Sequence, residues 1–469
     1  MSPIGWRLPW VEFVAATALS LGLGVALVVS PTAALILLMI LVGAVSISAP
    51  ATYWAIGAVV IAVTGRGITA LGAPGIVSYL DIPLAWAALA AALTRSSLSK
   101  RTMSDQARRL LQLLCWFLAA CTLSWIFDGS QVLRFVFFVA LWGEPWVLVA
   151  AILIDPPDDR LRALLVKVLL ALLALQIPVA YFQAVSSGFG DQVRGSIVGS
   201  KAGAHLDGAL AIIGAMWLVS RRPLERRYVS FAIALAVIPV ISAAKQVLVV
   251  VPAVLLLAGW RVGKGKLLPL LSILAVSIYG VFFFAPGGAY STKELTHPQQ
   301  SGKLLAAQQI WSAMRGQPVN VMVGLGPAET LSHAAYLTTD PVAKANSPLK
   351  PLEIRPSTMA LNAESFTGLD SFHSEQSSTI GLFGDIGVLG ILTFGLMVLY
   401  IVRRLRGAAS PLATGALHGV LLLAILAIVQ DWWEEPSITV FVACLVAVGL
   451  TVRQEKITAP APPTNPFHS

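Results

Sequence analysis

Apolar runs recur along most of this chain, and their length limits what it can fold into. A helix crossing about 30 Å of hydrocarbon needs about 20 mostly apolar residues. Runs meeting or nearly meeting that length fall at about 11–30, 32–48, 51–64, 82–94, 108–127, 132–154, 163–186, 206–220, 228–243, 246–260 and 266–285, and, after a long polar interval, at 384–402, 412–430 and 436–452. Only 12% of the 469 residues are charged and 57% are apolar, with a mean hydropathy of +0.80. A soluble protein of this size could not cover its surface with so few charges. The expectation is an all-α, polytopic membrane bundle of about 12–14 spans. Soluble enzymes, nucleic-acid binders and secreted disulfide scaffolds are excluded together. Cys115, Cys121 and Cys444 all lie inside apolar stretches without a CxxC pair, and read as small buried hydrophobes.

The net charge of +9 is a signal of orientation. With the N-terminus in the cytoplasm, 21 of the 32 Lys and Arg fall on the cytoplasmic side; six of the other 11 lie in the long interval, where the positive-inside rule has little force. The expected organisation is a bundle at 1–285, an extracytoplasmic loop domain at 286–383, a second bundle segment at 384–452 and a disordered cytoplasmic tail at 453–469. The first run reads as a retained anchor, since no small-residue cleavage site follows it. Trp6, Trp10, Trp125, Trp260, Trp432 and Trp433 fit interfacial belts.

Polar chemistry concentrates on the expected outer side. The 286–383 interval holds His297, His333 and His373, with a helix expected near 301–316 and a turn at Gly324–Pro327. Five cations stand where the rule discourages them: Arg66, Arg134, Arg194, Lys201 and Lys245. Arg194 and Lys201 sit in a glycine-rich stretch, 188–201, that could bring backbone N–H groups and positive side chains onto a phosphate. The alternative is that such side chains snorkel to lipid headgroups; for Arg66 that is the preferred reading. Glu144 falls inside a span, where a charge costs at least about 2.5 kcal/mol. It either pairs with Arg134, lines a polar cavity or is a neutral structural carboxyl beside Pro145. Asp385 and His418 read as structural. No metal-ligand spacing is visible, and no cofactor is expected.

Two stretches together resemble a known family. One is Ser301-Gly-Lys303-Leu-Leu-Ala-Ala-Gln-Gln-Ile-Trp311, followed by Pro318 and Val323-Gly324-Leu-Gly326-Pro327. The other is His373-Ser374, followed by Gly381, Gly384, Gly387 and Gly390 at intervals of three. In order and spacing they are similar to the bacterial O-antigen ligase/O-antigen polymerase superfamily, whose members also carry a large outer loop late in the chain. Lys303 stands where that family usually has arginine, and Ser374 where it usually has asparagine.

The resemblance implies a metal-independent membrane glycosyltransferase of the bacterial inner membrane. It would take a glycan from undecaprenyl diphosphate and pass it to an acceptor sugar hydroxyl. His373 would be the general base or would position the acceptor, and Arg194, Lys201, Lys245 and Lys303 would contact the pyrophosphate or glycan. Gly324, Gly326 and Pro327 would shape the loop. A polymerase of surface polysaccharide is preferred to a ligase, and the alternative from another class is a transporter or flippase. The partners implied are the lipid-linked glycan, the bilayer and a chain-length regulator or flippase, with no nucleic acid. The glycines from 381 to 390 read as a surface for close helix packing.

Overall fold

Backbone N–H and C=O groups in hydrocarbon must be satisfied within the chain, and helices do this inside each segment. A computed structural model of the chain is accordingly an all-α membrane-type helix bundle. It describes residues 49–73, 75–100, 102–129, 131–190, 192–197, 203–220, 225–242, 244–258, 302–330, 332–335, 377–408, 410–428 and 431–451. The expected runs at 11–30, 32–48 and 266–285 lie outside the described residues. The other eleven are helical over most of their length.

In chain order the helices are α1 Ala51–Ala70, α2 Asp81–Leu98, α3 Asp105–Asp128, α4 Val132–Ile154, α5 Asp159–Ser187, α6 Gly203–Val219, α7 Arg226–Ile241 and α8 Lys245–Ala258, then the short α9 Gly302–Met314 and α10 Pro318–Val323, and finally α11 Ser378–Gly407, α12 Pro411–Leu426 and α13 Pro436–Thr451. Among the described residues, α1, α3, α4, α5 and α11 are long and apolar enough to cross a membrane.

The centre of the bundle is α4, α6 and α13, which are buried along most of their length. Small residues let the surrounding helices approach. On α1 the buried face includes Ala51, Ala55, Ala58 and Ala62, and it packs on α2, whose buried face carries Ala85, Ala88 and Ala92. Among the described residues, four helices open on a side-chain cap. Ser104, Asp158, Ser377 and Ser410 each accept a hydrogen bond from the backbone N–H three residues on.

Three expectations change. Trp432 and Trp433 are buried in the protein instead of facing the interface; Trp433 stacks on Trp146 at 5.6 Å and meets Phe394 edge-on at 5.3 Å. Cys115 is exposed on α3, whereas Cys121 and Cys444 are buried. Arg66 does not point away to lipid headgroups, because a buried carboxylate of α13's approach holds it.

The two ends of the bundle differ. At one end Arg95 pairs with Asp155 at 3.1 Å, and Asp155 also accepts from the Ala51 N–H. At the other, the segment 302–335 docks on α11; this is called the loop end below.

Candidate functional site

The loop end is organised by a break in α11. Ile386 (φ −130°, ψ 15°) and Gly387 (φ 64°, ψ −161°) leave the helical region. Carbonyls just before the break therefore lose their intrahelical donors. The Asp385 carbonyl accepts instead from the Ser124 hydroxyl at 2.7 Å and the Gly326 N–H at 3.1 Å. The Gly384 carbonyl accepts from the Leu325 N–H at 2.8 Å.

The Asp385 side chain completes the joint. Its carboxylate accepts from the N–H groups of Ala328, Glu329 and Thr330 and from the Thr330 hydroxyl, at 2.6–3.2 Å. The turn that it caps has positive φ at Gly324, Gly326 and Ala328. Gly324 lies against the backbone of Asp385 and Ile386, where a Cβ would sit 2.2 Å from the Asp385 carbonyl oxygen. Gly326 lies as closely against the Asp128 carboxylate. From the other side, Gly381 faces Ser332, Gly384 faces Thr330 and Gly387 faces Met322 and Gly324. Gly381 and Gly384 admit the loop instead of the neighbouring helix that the sequence suggests, while Gly387 packs against the end of α10.

Beyond Ser332 the same loop delivers His333 to a buried acidic turn, Asp431-Trp-Trp-Glu434-Glu435, between α12 and α13. His333 Nδ1 lies 2.8 Å from Asp431 Oδ2, and Nε2 lies 3.9 Å from Glu435 Oε1. The Ala334 N–H donates to Glu434 Oε2 at 3.0 Å. Arg66, on α1, closes the cluster with a 2.9 Å contact to the other oxygen of Glu435. The acidic turn is pinned by the Trp433 rings and by the Trp433 N–H, which donates to Ser378 Oγ at 3.0 Å.

Burial disfavours the His333 cation, but Glu435, Asp431 and Glu434 outweigh it and raise its pKa to about 9. Burial pushes Glu434 up to about 8 against the pull of His333. Asp81, at the start of α2, adds a further buried carboxyl within electrostatic reach of Arg66 and Glu435. Acid therefore exceeds base here: Asp81, Asp431, Glu434 and Glu435 face Arg66 and His333. Donor atoms from His333, Asp431 and Glu435 all lie within 4.8 Å of one another.

A second polar arrangement flanks α1. Gln183 Oε1 accepts from the Arg194 and Gly195 N–H groups at 2.7 and 2.9 Å. Gln176 brackets Ser196 at 2.8 Å, and the Ser196 hydroxyl donates to Val63 of α1 at 2.9 Å. Arg194 is thereby placed near the end of the helix that carries Arg66, with its side chain along Gly203. Arg134 is buried and pairs with Glu329 of the docked loop, not with Glu144. Both carboxyl oxygens of the buried Glu144 have no hydrogen-bond partner among the described residues.

Of the residues expected from sequence to form a site, Gly324, Gly326 and Pro327 lie in the turn capped by Asp385. Arg194 lies in the α5–α6 connection. His373 and Lys201 fall outside the described residues, as do the side chains of Lys245 and Lys303, which stand at the starts of α8 and α9. The sequence reading did not single out Asp431, Glu434 or Glu435. Three acids within five residues between two apolar runs were the available signal.

No protein-family model matches the chain, and no curated protein matches it.

Proposed function

We propose that this protein is a membrane glycosyltransferase that moves a glycan from a polyprenyl diphosphate to an acceptor sugar hydroxyl, most simply as a polymerase of lipid-linked repeats. One observation carries the reading. Of the two stretches that resemble the O-antigen ligase/polymerase superfamily, the described parts meet: Gly324 lies against Gly387, and Thr330 and Ser332, just beyond the first stretch, face Gly384 and Gly381.

The chemistry suits that place. A lipid diphosphate leaving group needs cations that stabilise its developing charge, and Arg194, Lys201, Lys245 and Lys303 would supply them. The acceptor hydroxyl needs a base with a pKa near neutral, and His373 would take its proton. In this reading both chain ends are cytoplasmic, and the loop end faces outward from the bacterial inner membrane. A wet headgroup and an apolar tail can then be held together.

A transporter is the second reading, favoured by Glu144 and Asp207, which are buried without hydrogen-bond partners among the described residues. Analysis of the lipid-linked pool in cells carrying His373→Ala at normal protein level separates them. Accumulated single repeats support a polymerase, and long chains retained on the lipid a ligase. A normal pool with wild-type polysaccharide removes the transferase assignment.

A further inference from the structure

The acidic turn gathers more carboxyl groups than cations, and a bound cation would let buried carboxyls be held together in their ionised form. Four carboxyl groups, those of Asp81, Asp431, Glu434 and Glu435, stand around Arg66 and the His333 imidazole. Glu434 is fully buried; it spends Oε2 on the Ala334 N–H, and its Oε1 has no hydrogen-bond partner among the described residues. Ala334 adjoins His333, and Glu434 acts electrostatically on the imidazole.

The geometry points to a divalent-cation site formed by His333, Asp431 and Glu435, with Glu434 as a fourth donor. Two atoms that each bind a metal at about 2.1 Å stand at most about 4.2 Å apart. The 3.9 Å between His333 Nε2 and Glu435 Oε1 is inside that limit. Asp431 Oδ2 lies 2.8 Å from the imidazole Nδ1, a short contact that fixes the ring among the carboxylates around it. One imidazole with several carboxylates suits Mn²⁺ or Zn²⁺ better than a soft cation. Arg66 anchors the remaining oxygen of Glu435 and would fix that ligand in place. The sequence carries no ligand spacing because the site joins segments 100 residues apart. A bound divalent cation would neutralise the excess of carboxylates; the binding itself does not depend on the proposed transfer reaction.

The test uses tag-free, full-length protein in nanodiscs, stripped with EDTA and titrated with Mn²⁺ while the free-ion EPR signal is followed. One Mn²⁺ per chain, displaced by Zn²⁺, is expected. Affinity should fall at least tenfold in Glu434→Gln and in Asp431→Asn, each checked for an unchanged elution profile and Tm. Where Asp431→Asn does not fold, Glu434→Gln alone decides, since it alters one oxygen of an otherwise intact turn. Absence of stoichiometric binding in the wild-type protein, or binding within twofold of wild type in the folded variants, overturns the site.

Discussion

Thr330 reaches Asp385 twice, with its N–H at 2.7 Å and its hydroxyl at 2.6 Å from the same carboxylate oxygen. The contact ties a loop to the point where α11 breaks, and its strength follows from charge. Hydrogen bonds to an ionised acceptor contribute about 1.5–3 kcal/mol each. Asp385→Asn keeps the shape but turns one oxygen into an NH₂ group facing N–H donors. A loss of about 3 kcal/mol is expected. It should appear as a lower Tm together with faster proteolysis within 318–335. An unchanged cleavage pattern would show that Asp385 does not hold the loop.

The glycines beneath that loop predict a graded series. Gly324→Ala places a Cβ 2.2 Å from a backbone oxygen at φ +87°, where neither partner can yield cheaply. It should fail to accumulate as folded protein. Gly395, on α11, has nothing within 4 Å of its Cβ position. Gly395→Ala should be neutral, or stabilising by up to about 1 kcal/mol through better helix propensity. Fluorescence-detected size exclusion of the two variants checks the contrast, and equal profiles would refute it.

These glycines also show what could be read in advance. The apolar runs announced the helices because hydrocarbon leaves the backbone no alternative, and burial of α4, α6 and α13 follows from the same rule. The interval of three from Gly381 to Gly390 announced a close approach but not the partner: a helix face and a loop demand the same missing side chain. Arg66 was read as a lipid anchor because its ion-pair partner, Glu435, lies at the far end of the sequence. Local pattern carries periodicity and caps; it does not carry long-range pairing of single charges.

Arg66 and Glu435 should behave as a coupled pair. Breaking a buried pair from one side leaves a charge without compensation and costs about 3–5 kcal/mol. Arg66 keeps 22% of its side chain exposed while Glu435 keeps 3%, so the lower end of that range applies. Arg66→Gln should lower the Tm clearly, and Arg66→Gln with Glu435→Gln should recover part of the loss. A double-mutant cycle measures the coupling. Additive effects would mean that the contact does not contribute.

Glu144→Gln distinguishes a structural carboxyl from a working one. Its oxygens find no hydrogen-bond partner among the described residues, and a buried carboxyl of that kind gains little from being ionisable. Stability and polysaccharide output are expected to stay at wild-type level. Loss of a proton- or ion-coupled flux in proteoliposomes, with stability intact, would move the protein to the transporter class.

Orientation can be tested with the chain's own cysteine pattern. Cys115, Cys121 and Cys444 are free thiols, so all three are first replaced by Ala or Ser. One new cysteine is then placed at each end. Gly316→Cys lies in the exposed connection between α9 and α10, with no atom within 4 Å of the new Cβ. Ser99→Cys, near-isosteric, lies just after α2 at the end that carries the Arg95–Asp155 pair. The excess of Lys and Arg on the Ser99 side predicts that it is cytoplasmic. A membrane-impermeant maleimide should therefore label Gly316→Cys in intact cells and Ser99→Cys only after lysis. The reverse pattern would put the loop end in the cytoplasm and would remove the setting that the proposed transfer reaction requires.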